Sequence, residues 1–410
     1  MRSPDVTTRN VASSAESGAV PRLTDAQARR GIITVTAATI FLYLSLYLYV
    51  PFLPLRAAEL GASNTMIGLV IAGFAVGQVV LRLPIGIGAD FIGRCKPFAV
   101  GSLVLATVGG LGLALAPNTE MLFAARLLTG ASVAGWVAIT VLFASYYRPD
   151  DTAKAMSRIM TVWAAGLVLG TFAGGVVADL FGSKATFWGS VGAGAIGTAL
   201  ILSAPEPNLE RVQRYGFETV RRVASSGLLL RLAVIGIGVQ FIAFATYFAF
   251  VPVYAESIGA SLSTIGYITT FTLGAAMAGT LIAPMIIARV GYRVTVAGSL
   301  VVVGAATAAV TLAETVFPLF ITQGIAGLGH GVLSAALMAI VALTAIPRLR
   351  ATAMGFYQSM YGVGVLAGPL VAGLVADGPG LDGVFYVSAL VAGGAAALAV
   401  VTRMPETTAN

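Results

Sequence analysis

Cysteine and histidine are almost missing from this chain of 410 residues, which has one of each, Cys95 and His330. A single cysteine excludes an intrachain disulfide and a cysteine metal cluster, and a single histidine excludes a histidine-rich metal site. No metal or other cofactor is expected. Charge is scarce too: Asp, Glu, Lys and Arg make up 10% of the residues against 58% apolar ones, where soluble domains carry about a quarter charged residues. All 17 acidic residues fall in tails, loops or the ends of apolar runs, so no carboxylate stands at mid-depth. Strict apolar/polar alternation is absent, which argues against a β-barrel. Scattered carboxylates with one histidine and one cysteine do not supply the clustered acid, base and nucleophile of an enzyme.

What the chain has is apolar length. Twelve apolar runs occupy residues 31–53, 65–88, 97–116, 119–145, 153–178, 185–204, 229–253, 264–288, 294–313, 316–345, 352–376 and 383–402. About 20 residues suffice for a helix to cross a hydrocarbon core of about 30 Å. The fold class is therefore an all-α membrane protein with twelve transmembrane helices. Of the 24 Lys and Arg residues, 20 lie in segments that twelve crossings put on one side. Arg56 and Lys184 lie opposite, and Arg82 and Arg126 fall within helices. That bias predicts a multi-pass protein of the cytoplasmic (inner) membrane with both termini in the cytoplasm. The net charge of +7 is then a topology signal beside an anionic lipid bilayer, and calls for no nucleic-acid partner.

The chain also repeats itself at a displacement of 198 residues. Pro54 answers to Pro252, Gly61-Ala62-Ser63 to Gly259-Ala260-Ser261, and Ile67-Gly68 to Ile265-Gly266. Gly93 and Met156 answer to Gly291 and Met354, and Gly166, Gly170, Gly175 and Asp179 to Gly364, Gly368, Gly373 and Asp377. Such a repeat predicts two pseudo-symmetric six-helix bundles, which in membrane transporters rock about a central site. The expected organisation is a disordered cytoplasmic tail at 1–30 that does not read as a signal peptide, bundles at 31–204 and 229–402, a polar linker at 205–228, and a short tail at 403–410. The linker reads either as an amphipathic helix on the membrane surface or as a solvated tether.

Several local patterns carry chemistry. Between the second and third runs lies Gly86-x-x-x-Asp90-x-x-Gly93-Arg94-Cys95-Lys96. Its glycines permit close approach and a tight turn, and a carboxylate there can cap a helix N-terminus or pair with an arginine to hold the bundles together. The fourth run carries Arg126-x-x-x-Gly130-x-x-x-x-Gly135. An arginine this deep must face protein or water, or else snorkel to the interface. The fifth carries Gly166-x-x-x-Gly170-Thr171-x-x-Gly174-Gly175, a small-residue spacing that by itself serves helix packing. Arg82 lies toward the inner end of the second run. His330 stands among Gly327, Gly329 and Gly331, where glycines would leave room for ligand or water beside a titratable imidazole, or where it packs as a hydrogen-bonded core residue. Tyr43 and Tyr47 share one helical face, as do Gln240, Phe244 and Tyr247. Tyr357, Gln358 and Tyr361 cluster in the eleventh run, and Gln78 lies mid-depth in the second. These groups could line a pocket that is apolar with a few placed polar groups, or serve packing.

The loop at Gly86–Lys96 resembles the signature of the major facilitator superfamily, G-x-x-x-D-R-x-G-R-R/K, and the resemblance extends over the whole chain. It departs at Phe91 and Cys95, with Lys96 supplying a charge nearby. The resemblance implies two bundles working by alternating access, with Asp90 and Arg94 in gating. The Arg126 string resembles that superfamily's helix-4 motif, associated with proton or substrate handling. The Gly166–Gly175 string is similar to its antiporter motif, G-x-x-x-G-P-x-x-G-G, with Thr171 for the proline, whereas the second copy has Pro369. Arg82 matches an arginine of several efflux branches. Proton-linked efflux of a small organic compound is thus the leading expectation. With Arg126 and possibly Arg82 inside and no counter-charge, the solute is expected to be neutral or anionic. An uptake symporter or facilitator for a metabolite or organic anion is the alternative, and a transporter-like receptor the remote one. The expected partners are the solute, protons and lipid, with the chain acting as a monomer.

Overall fold

A computed structural model describes residues 23–148, 151–206, 225–344 and 350–405. The 1–22 part of the tail, the linker core 207–224 and residues 406–410 lie outside the described residues. Eleven long apolar helices are present. In order these are α1 (Asp25–Glu59), α2 (Asn64–Ile92), α3 (Lys96–Leu115), α4 (Thr119–Ala144), α5 (Thr152–Phe181), α6 (Ser183–Leu202) and α7 (Gly227–Ser257). Then come the long helix Leu262–Ala308, α10 (Val316–Thr344), α11 (Arg350–Asp377) and α12 (Leu381–Val401). The 47 residues of Leu262–Ala308 would measure about 70 Å if straight, over twice a bilayer core. They break at Gly291, whose φ of 75° and ψ of 166° are not helical, into α8 (262–290) and α9 (292–308). Twelve crossings result. No strand occurs among the described residues.

Local chemistry sets the ends. Thr24 and Gln27 form a capping box, and Ser63, Asn118, Ser226 and Ser261 each accept a backbone N–H in the first turn of the helix they precede. The glycines with positive φ are Gly61, Gly93, Gly182, Gly259, Gly291 and Gly380. They form three pairs at the 198-residue displacement, with φ of 81° and 82°, 69° and 75°, and 82° and 93°. Only glycine takes these angles without strain, so the repeat has kept the residues its turns require. Helices α1 and α7 also match. Each is interrupted near its end, by a 3₁₀ turn at Val50–Phe52 and a π turn at Thr246–Phe250, and then resumes at Leu53 and Val251.

The halves meet along two related seams. In one, a Cβ at Gly68 of α2 would collide with the Pro369 carbonyl of α11, and one at Gly373 would collide with the Asn64 carbonyl. In the other, a Cβ at Gly266 of α8 would strike the backbone of Gly175 in α5. Thr270 Oγ1 donates to Thr171 Oγ1 across this second seam at 3.0 Å, and Phe172 stacks on Tyr267. Both seams are tightest at the face opposite the α2–α3 turn.

Candidate functional site

Where α1, α2, α4 and α7 converge, Leu46, Tyr47, Val50, Phe74, Arg126, Phe244 and Phe248 line a small central cavity. Arg126 is only 4% exposed. Its Nη1 donates to Tyr49 Oη at 2.9 Å, and its guanidinium carbon sits 4.4 Å from the Phe74 ring centroid and 5.7 Å from that of Tyr49. Its Nε is buried with no hydrogen-bond partner among the described residues. No carboxylate contacts it among those residues. Nη1 also donates to Thr129 Oγ1 at 3.4 Å, so aromatic faces and two hydroxyls hold a desolvated cation without neutralising it. The interior placement excludes snorkelling.

Aromatic rings carry the cavity wall across the seam. Tyr43 packs on Tyr47, Trp136 and Trp163, and Tyr47 meets Phe248 of the other half edge-on at 6.3 Å. Phe248 packs on Phe244 at 4.9 Å. The shared face expected for Gln240, Phe244 and Tyr247 is therefore altered. Phe248, one turn beyond Phe244, joins it at the cavity, while Tyr247 is buried beside His330, with ring centroids 5.9 Å apart. Gln78 and Gln240 are half-buried.

The glycines around His330 do not leave room for a ligand. Gly327 and Gly331 press on the Thr272 and Ala276 carbonyls of α8, and Gly329 on Val303 of α9. They are packing positions that let α10 touch both neighbours. The polar features of this half are buried atoms. Tyr247 Oη and Gln323 Oε1 have no partner among the described residues, a state that costs about 1–3 kcal/mol per group in a dry interior.

Other predicted residues fall into place by contact. Arg82 Nη2 donates to Gln358 Oε1 at 3.3 Å, joining α2 to α11 across the seam. Tyr357 and Tyr361 of α11 pack edge-to-face. Gly166, Gly170 and Gly174 of α5 lie against Tyr43, Tyr47 and Leu48 of α1, and Gly364 and Gly368 lie against Ile237 and Phe241 of α7. Each glycine has a steric task, and Thr171 stands at the α5–α8 seam.

At the basic face, Gly93 ends α2 in the left-handed conformation, and Lys96 opens α3. Gly86 and the Asp90 side chain lie outside what the structure describes. Among the described residues, Arg94 makes no bond across the halves. It donates through Nε and Nη2 to Glu206 Oε2 just past α6 of its own half, at 3.0 Å for Nε. At the opposite face, the α2 N-terminus is capped across the seam. Asp377 Oδ1 accepts from Asn64 N at 3.0 Å, and Oδ2 accepts from Thr65 N at 2.8 Å and Thr65 Oγ1 at 2.6 Å. Tyr49, Phe74, Phe248, Glu206 and Asp377's capping role are not evident from motif spacing. The repeat carried one clue, since Tyr49 lies 198 residues before Tyr247.

A model of the Major Facilitator Superfamily matches residues 35–257 and again 233–410. The multi-drug resistance efflux pump PmrA of Streptococcus pneumoniae is 34% identical over 148 residues, 35% of this chain and 37% of that protein. The match thus spans little more than a third of that relative's length. A PmrA homolog of Lactococcus lactis is 24% identical over 363 residues, 85% of this chain and 88% of its own. A bacterial homolog of the human lysosomal transporter Spinster, solved in an inward-facing and unoccupied conformation, superposes with a TM-score of 0.78 at 16% identity, covering 93% of this chain and 98% of the other. At that identity the likeness is one of fold.

Proposed function

The chain belongs to the major facilitator superfamily, and from that premise we propose that this transporter exports a small neutral or anionic organic compound in exchange for protons. It does so by alternating access across the cytoplasmic membrane, with its basic face and termini in the cytoplasm. The observation that carries the substrate class is Arg126, buried at 4% exposure, with Nε unpartnered and no carboxylate in contact among the described residues. A buried cation in that state favours an anion or strong dipole and repels a lipophilic cation. Export draws on the multidrug efflux names of PmrA and its homolog and on the Gly166–Gly175 resemblance. His330, the single imidazole, packs edge-on against Tyr247, the chain neighbour of the cavity-lining Phe248, and is the proposed proton carrier.

Alternating access needs seams that separate. Glycine contacts and the Asp377 cap close the face opposite the termini, which suits a state loaded from the cytoplasm. The test is solute accumulation in everted vesicles under an imposed pH gradient, acid inside. Aromatic organic acids should accumulate, the uncoupled gradient should abolish it, and Arg126→Gln should remove it. Accumulation of organic cations but not acids would reject the substrate class. Accumulation indifferent to the gradient would reject proton exchange.

A further inference from the structure

We propose that Tyr247 and Gln323 form a second, uncharged recognition subsite, which holds a hydroxyl or amide of the same solute whose anionic end faces Arg126. This rests on the anion reading above and extends it to the far end of the molecule. The two halves repeat a tyrosine at the broken end of their first helix, Tyr49 in α1 and Tyr247 in α7. In the first half that tyrosine is bonded to Arg126. In the second half the matching helix α10 offers Gln323 instead of a cation. Tyr247 is 4% exposed and Gln323 1% exposed, and neither Tyr247 Oη nor Gln323 Oε1 bonds the other or any described group.

Two unpartnered polar atoms this deeply buried call for a visitor that can bond them. The amide oxygen of Gln323 accepts, and the phenol of Tyr247 donates or accepts, so a group with both capacities fits. A cation does not fit, because no carboxylate would compensate it. Position favours a substrate group. Tyr247 packs on Ala326, one turn along α10 from Gln323, and meets His330 a further turn on. Its chain neighbour Phe248 touches Tyr47 and lines the Arg126 cavity. An aromatic body lying along Phe248 and Tyr47 would present one end to each pole.

The experiment measures binding to the purified full-length protein with three matched probes: 3-phenylpropionate, its 4-hydroxy derivative and the methyl ester of that derivative. In the parent, the ring hydroxyl should tighten binding about tenfold and the ester should lose most of the affinity. Tyr247→Phe and Gln323→Met should each erase the hydroxyl advantage while leaving phenylpropionate binding unchanged. Arg126→Gln should erase the distinction between acid and ester. Monodisperse elution and a cooperative ligand-free thermal transition establish that each variant is folded. A hydroxyl advantage that persists in both variants, or is missing in the parent, overturns the subsite and leaves the anion reading standing. A missing advantage with variants of lowered ligand-free stability would mean that the two atoms hold a structural water only, and overturns the subsite. If neither acid binds the parent, the anion reading fails and takes the subsite with it.

Discussion

A guanidinium at 4% exposure inside a helical bundle is tolerated only if its surroundings replace water, and Arg126 has two ring faces, a phenol and the Thr129 hydroxyl for that purpose. Each desolvated cation–π contact contributes about 2 kcal/mol, yet no opposite charge offsets the desolvation. We expect Arg126→Met to leave thermal stability unchanged or higher, because replacing a buried charge with an apolar side chain relieves that cost. Calorimetry should show this alongside a complete loss of acid binding, and a destabilised variant would reveal a structural role instead. Arg94 is the opposite case. Its pair with Glu206 leaves the arginine side chain 58% exposed against 13% for the glutamate, and solvent screening at the arginine end holds such a pair to about 1 kcal/mol. Glu206→Gln should therefore change stability by less than about 1 kcal/mol, as read from thermal denaturation. At this scale the sequence showed which charges are out of place, since a deep arginine is visible in any hydropathy reading. It did not show Tyr49 or Phe74, because an aromatic residue in an apolar run looks the same whether it packs on lipid, helix or cation.

Helices read well where periodicity and capping agree, and poorly where they break. The six positive-φ glycines mark turns, and four of them belonged to repeat positions recognisable beforehand. The π turn at Thr246–Phe250 was not recognisable, because its extra residue depends on packing against neighbours. At the seams, glycines do what larger residues cannot. Gly266→Val should place methyl groups into the Gly175 backbone, and overpacking of this kind costs about 1–3 kcal/mol. Because that cost falls on the closed seam, the variant should favour the state opened at that face. Asp377→Asn acts there too, removing the charge from a cap worth about 1–2 kcal/mol. Labelling of a cysteine introduced near the seam, in a Cys95→Ala background, should speed up about tenfold in either variant. Unchanged labelling would mean that neither contact holds the face shut.

Across the whole molecule, the seams must close and open for transport to occur, and one pair of side chains allows them to be locked. Thr171 Oγ1 and Thr270 Oγ1 lie 3.0 Å apart between the halves, so cysteines at both positions bring sulfurs close to bonding distance. In a Cys95→Ala background, oxidising Thr171→Cys/Thr270→Cys should form a disulfide and stop solute accumulation in vesicles, and reduction should restore it. Transport that continues through the cross-link would show that the α5–α8 seam does not move. The sequence by itself determined the solvent, the number of crossings, the twofold repeat and the family, because apolar length, charge bias and glycine turns are local properties written in consecutive residues. Only the tertiary structure decided which residues meet between distant helices. Arg94 turns to Glu206 rather than across the halves, the glycines beside His330 are filled by α8 and α9, and Asp377 caps a helix more than 300 residues away. Those outcomes depend on helix rotation and side-chain reach across a packed interface, which no periodicity within one segment encodes.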